Sequence, residues 1–195
     1  MRSVLAGLLA LVVAGCSQAG PGDEVDPVPT SPPEAMQYAA LGDSYTAAPY
    51  VVSTDVANGC LRSTHNYPQL LAGRLGASLA DVSCGSATTE AVTGEQHTVR
   101  SAVQPPQIEA ITADTDLVTI GMGGNDGGLF GRLVSGCPMT GPDGRSLGAS
   151  GRCGHLPRAR LDELLAETRS NLVRVLRAVT EAAPDATVVL VGYPR

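Results

Sequence analysis

Apolar residues in this chain are grouped in two ways: short continuous runs that break at glycine, and one long stretch where they return every three or four positions. QYAALGDS begins with such a run and breaks at Gly42-Asp43, which predicts a buried strand feeding a tight turn, with Ser44 at the strand's C-terminal end. NYPQLLAGRLG carries Pro68 early and Leu70, Leu71 and Leu75 at helical spacing, predicting a first helix. SLADVSC is a weaker strand pattern, and PPQIEAIT reads as a short helix opened by proline. DLVTIGMGG is an apolar strand that ends in glycines. RLDELLAETRSNLVRVLRAVTEAAP then places Leu161, Leu164, Leu165, Thr168, Leu172, Val175, Leu176 and Val179 on one helical stripe, stopped by Pro184. ATVVLVGYP reads as another fully buried strand. Buried strands separated by helices imply a parallel sheet with helices on both faces, so the pattern predicts an α/β class domain, a three-layer α/β/α sandwich. The sequence stops at Arg195 just after that strand. With no covering helix there, an edge or face of the sheet is left bare, and the expectation is a domain incomplete at its C-terminus.

The N-terminus changes the compartment rather than the fold. Arg2 followed by VLAGLLALVV is a basic start and an apolar stretch too short to span a bilayer, so residues 1–15 read as an export signal. Val13-Ala14-Gly15-Cys16 resembles a bacterial lipobox, which makes Cys16 the expected lipidation site; an ordinary secretory signal with Cys16 incidental is the alternative. Residues 16–36 hold five prolines and no periodic apolar signal, hence a linker, and the domain runs over 37–195. Membrane contact is expected only through the lipid anchor, and the protein is expected to be a cell-surface or secreted monomer.

Hydrophobic residues make up 43% of the chain, enough for a core, and a single Phe with no Trp makes that core small and aliphatic. A formal charge of −6 with no basic cluster removes the electrostatic basis for a nucleic-acid partner. Leaving Cys16 aside, Cys60, Cys84, Cys137 and Cys153 are an even set in an oxidising compartment, so two disulfides are expected. Three connectivities exist; the sequential one, Cys60–Cys84 and Cys137–Cys153, closes short local loops and is the one expected. A zinc site from Cys137, Cys153 and His155 lacks the usual paired ligand clips, and no metal is expected.

In open parallel sheets ligands gather at the C-terminal ends of strands, which singles out Gly42-Asp43-Ser44-Tyr45 and Gly123-Gly124-Asn125-Asp126. The first offers a serine hydroxyl and its backbone N–H, the second an amide donor: a nucleophile and part of an oxyanion hole. Either alone is an ordinary turn; two, each after a buried strand, point to acyl transfer. GMGGNDGG has neither spacing of a phosphate-cradling loop. The acidic residues of the long helix and the linker read as solvated faces rather than as a glycosidase pair.

YAALGDSYTAAP and GMGGND resemble the first and third blocks of the SGNH (GDSL-like) serine hydrolases. CLRSTHNYPQLLA and DVSCGSATTE resemble segments of that family's secreted actinobacterial lipase and esterase branch. The resemblance implies the flavodoxin-like SGNH fold and an extracellular ester hydrolase acting on small-molecule or lipid esters, with no cofactor. It makes Ser44 the nucleophile and Asn125 a side-chain oxyanion donor. A backbone N–H of the second block completes the hole, where Ser86 stands in place of the usual glycine after Gly85. Asp43 is expected to shape the nucleophile turn, and Gly85 and Gly123 to support theirs. The family's DxxH pair has no counterpart before Arg195. His65, His97 and His155 read as solvent-exposed loop residues, so residues 1–195 alone are expected to be nearly inactive. The alternative is an inert, lipid-anchored extracellular binding domain.

Overall fold

The YAAL run is apolar on both of its faces, and all four of its side chains are buried. The computed structural model describes residues 34–98, 100–136 and 157–193. The signal, most of the linker, Cys16, Cys137, Cys153 and His155 lie outside the described residues.

In order, the elements are β1 (Gln37–Gly42), α1 (Ser44–Ala47), the short strands β2 (Thr54–Asp55) and β3 (Arg62–Ser63), α2 (Tyr67–Leu75) and β4 (Ser78–Asp81). The short strands β5 (Gln96–His97) and β6 (Val103–Gln104) follow, then β7 (Leu117–Gly121), α3 (Leu129–Gly136), α4 (Arg158–Ala182) and β8 (Thr187–Leu190). Single 3₁₀ turns lie at Thr89–Val92, Gln107–Ala110 and Asp126–Gly128. PPQIEAIT is therefore one 3₁₀ turn rather than an α-helix. The run stops at Ile111, whose backbone is already extended, with φ −97° and ψ 131°.

The main sheet has the order β4-β1-β7-β8, all parallel, with β2/β3 and β5/β6 as separate antiparallel pairs. Period-two alternation sorts the sheet's side chains to two layers. Ala39, Leu41, Val118, Ile120 and Met122 face Val175 and Val179 of α4. Tyr38 and Ala40 face Ala72 of α2 on the other side. Fully burying a Val, Leu or Ile side chain stabilises by ~1.5–3 kcal/mol. The α4 side, which holds most of these, thus carries more of the core energy than the alanine-lined α2 side.

Local capping explains the helix starts. Asn66 caps α2 by accepting from the Gln69 N–H at 3.1 Å, while its own amide donates to Asp81 at 2.7 Å and ties the helix to the end of β4. Of the expected stripe on α4, Leu164, Val175 and Val179 are buried but Leu165 is 48% exposed. Leu165 follows Leu164 by 100° of helical turn, which carries it off the core face. The ATVVLVGYP strand is also not fully buried: Val189 and Leu190 are exposed. Among the described residues β8 is an edge strand, two strands away from β1, whose Ala40 packs against α2 on the face that Val189 shares.

Cys60 and Cys84, 24 positions apart in sequence, form a disulfide. Closing a loop of that size removes unfolded-state entropy and stabilises by about 3 kcal/mol. Its place in the fold also matters, because Cys84 immediately precedes the Gly85-Ser86 turn.

Candidate active site

β1 and β7 are neighbours at the centre of the sheet, and the chain leaves them in opposite directions, toward β4 and β8. That is the topological switch point where such sheets open a crevice. The last pair in register is Gly42 with Gly121, so the turns bearing Ser44 and Asn125 leave the sheet at one level.

Ser44 is the first residue of α1, and Asp43 is its N-cap, with Oδ1 accepting from the Tyr45 N–H at 2.8 Å. In the first turn of a helix backbone N–H groups have no intrahelical acceptor, so the Ser44 N–H is available for another one. The Asp43 N–H donates to the Gly121 carbonyl at 2.9 Å, and Thr46 Oγ1 donates to the same carbonyl at 3.1 Å. These bonds seat α1 directly on the strand ends. Glycine at position 42 permits it: a Cβ there would stand 2.1 Å from Thr46 Oγ1.

Asn125 Nδ2 donates to the Ala87 carbonyl at 3.0 Å, which orients the amide and leaves its second hydrogen unused. Behind it, Asp126 is buried and accepts from the Thr89 N–H at 2.9 Å, Thr89 Oγ1 at 2.7 Å and Asn171 Nδ2 at 3.0 Å. One carboxylate thus joins the Asn125 turn to the Thr89 turn and to α4. Gly123 has φ 114°, a backbone conformation that a side chain would disfavour.

The Gly85-Ser86 turn stands alongside, tied to β1 by the Cys84 N–H, which donates to the Gly42 carbonyl at 3.0 Å, and to Asn125 through Ala87. Its two N–H groups differ. That of Gly85 donates to the Cys60 carbonyl at 2.8 Å, whereas that of Ser86 has no acceptor among the described residues. Ser86 has φ 65° and so occupies the left-handed region that favours glycine. For an L-residue this costs ~1–2 kcal/mol, against ~0.5–1 kcal/mol of extra chain entropy that glycine loses on folding. The strain wins, so Ser86→Gly is expected to stabilise the protein by about 0.5–1 kcal/mol in equilibrium urea unfolding. A destabilised variant would show that the Ser86 side chain contributes more than its strain costs.

Between the Ser44 and Asn125 turns lies a cleft of about 310 Å³. Its polar lining is Asp43, Ser44, Gly124 and Asn125; its other walls are Tyr45, Pro49, Phe130 and Tyr193. Burial pushes the Asp43 carboxyl above its usual range, opposed by the Tyr193 hydroxyl and the Tyr45 N–H. Burial also raises Tyr193, and its bond to Asp43 raises it further. His65 bonds to Thr64 and His97 lies on β5; both are exposed and neither lines this cleft.

The profile of the GDSL-like lipase/acylhydrolase family matches residues 40–195, a span that holds every residue of the cleft. The chain belongs to that family. Among GDSL-like relatives it is similar to Lipase 2 of Streptomyces coelicolor, at 38% identity over 85% of this chain and 55% of that one. Two solved GDSL-like structures share its fold. One is phospholipase A1 of Streptomyces albidoflavus, with TM-score 0.60 and 28% identity over 83% of this chain and 61% of that one. The other is an extracellular lipase of Streptomyces rimosus, with TM-score 0.57 and 28% identity over 82% and 61%. The GDSL-like chain described here thus spans little more than half of the length of Lipase 2.

Sequence reasoning passed over three supports of this GDSL-like site. Tyr193 stands just beyond the end of β8, where the strand-end rule that found Ser44 and Asn125 could have found it. Phe130, the lone Phe, follows the Asn125 turn by five residues. Gln107 is the least legible. Its side chain is buried, accepts from the Gly42 N–H at 2.8 Å and donates to the Gly42 carbonyl at 3.1 Å, across 65 residues of sequence.

Proposed function

We propose that this protein is an exported carboxylic ester hydrolase in which Ser44 is the nucleophile. The observation that carries this reading is that Ser44 and Asn125 leave two adjacent parallel strands at one register and face a common cleft. Ser44 Oγ attacks the ester carbonyl carbon and its proton passes to a general base. The oxyanion that forms accepts hydrogen bonds from the Ser44 N–H, the Ser86 N–H and the free Asn125 amide hydrogen. Collapse of the tetrahedral intermediate expels the alcohol, which takes the proton, and water then releases the acid from the acyl-serine. The base is the histidine of the family's DxxH pair, expected beyond residue 195.

Export follows from the apolar segment after Arg2, and Cys16 is the proposed lipid attachment point. The description of the Streptomyces rimosus neighbour as an extracellular lipase supports the same compartment. Three of the cleft's walls are aromatic rings and a fourth is proline, which favours acyl chains over the hydroxyl-rich surface of a sugar. Protein expressed from the complete reading frame is expected to hydrolyse p-nitrophenyl esters and acyl glycerides of short to medium chain. Release of acetate from acetylated xylan, with no activity on acyl esters or glycerides, would overturn the substrate assignment.

A further inference from the structure

Tyr193 is half-exposed at the cleft mouth, yet its hydroxyl is turned inward. A tyrosine hydroxyl has one hydrogen to give and can accept in return. Here the hydrogen goes to Asp43 Oδ2, and the oxygen accepts from the Gly124 N–H at 2.8 Å. Asp43 is the residue before Ser44, and Gly124 is the residue before Asn125. A single oxygen atom therefore bridges the two turns that hold the nucleophile and the oxyanion donor, one residue away from each.

We propose that Tyr193 is a positioning residue for the Ser44 reaction, fixing the separation of the nucleophile turn from the Asn125 turn through this bridge. The proposal rests on the ester-hydrolase reading above. Three observations favour it over a role in fold stability alone. β8 is already held to β7 by a four-residue ladder, Leu117 with Thr187 through Ile120 with Leu190, and the Val191 N–H donates to the Ile120 carbonyl at 2.8 Å. The strand does not need the Tyr193 bond to stay in the sheet. The Tyr193 ring adds little burial, since it is 43% exposed and meets Tyr45 edge-on with ring centres 5.5 Å apart. Finally, the neighbour is fitted to the hydroxyl: a Cβ at Gly124 would stand 2.9 Å from it. Asp43 is only 2% exposed, so water cannot readily take the place of the lost donor.

Tyr193→Phe keeps the ring and removes the bridge. Displacing a reacting group by about 1 Å can cost on the order of 100-fold. In protein from the complete reading frame, Tyr193→Phe is expected to lower kcat for p-nitrophenyl butyrate on the order of 10- to 100-fold, with KM changed by less than about twofold. The rate of fluorophosphonate capture at Ser44 is expected to fall by the same factor, counted per folded molecule. Gly124→Ala pushes on the same bond from the other side without removing the hydroxyl, and is expected to give the same split; it serves where the Phe variant fails to fold. An unchanged kcat in a folded variant would overturn the proposal, as would a loss confined to KM or to the midpoint of thermal unfolding. If the unsubstituted protein neither hydrolyses the ester nor is captured at Ser44, the ester-hydrolase reading fails first and this proposal with it. If the unsubstituted protein is active and both variants match it, only the proposal fails.

Discussion

Replacing Ser44 by alanine is expected to lower kcat for ester hydrolysis by about 10⁴- to 10⁶-fold in protein expressed from the complete reading frame, as removal of the nucleophile does in other serine hydrolases. The size of the effect follows from position. Ser44 lies at the end of the central strand β1, opens α1 and lines the cleft, where no other serine or threonine stands among the described lining residues. Thr46, the nearest other aliphatic hydroxyl in sequence, is buried and committed to the Gly121 carbonyl. Folding should be little changed, because the turn is held by Asp43 and Thr46 rather than by the Ser44 side chain. A kinetic assay alongside a urea melt separates the two. Loss of activity with an unchanged melt is the expected pair.

The second large effect is at Asn125. Removing one donor from an oxyanion hole costs ~10²–10³-fold in kcat. Asn125→Ala is expected to fall in that range with KM little altered, because the donor acts on charge that develops only during reaction. Asn125→Asp tests the sign of the interaction as well. It keeps the size of the side chain and an oxygen toward the cleft, but replaces a donor with an acceptor, so it should be at least as damaging as alanine. Equal activity of the three proteins would remove Asn125 from the hole.

Both residues could be found in the sequence because they stand where buried strands stop. A run such as YAAL or LVTIG has to be followed by a turn, and a parallel sheet sends all such turns to one end. The two glycine-bounded turns then had to be neighbours once β1 and β7 were adjacent. Ser86 came only from the resemblance to the family's second block, and its left-handed φ is one that favours the glycine expected there. What pattern could not reach was the set of contacts that join these turns across the chain. Gln107 grips Gly42 over 65 residues, Asp126 reaches Thr89 and Asn171, and Tyr193 reaches Asp43 over 150. Side-chain bonds of that separation leave no periodicity behind. Leu165 and β8 show the opposite failure: their local patterns are apolar, but burial depends on which layer lies over them.

The central claim is that Ser44, and not another hydroxyl, forms the covalent intermediate. The most direct test is to treat protein from the complete reading frame with a fluorophosphonate and to locate the adduct by peptide mass spectrometry. One adduct per molecule on Ser44, formed more slowly in Asn125→Ala, is the result the structure predicts. An adduct on a different residue, or hydrolysis that proceeds with Ser44 unmodified, would contradict it.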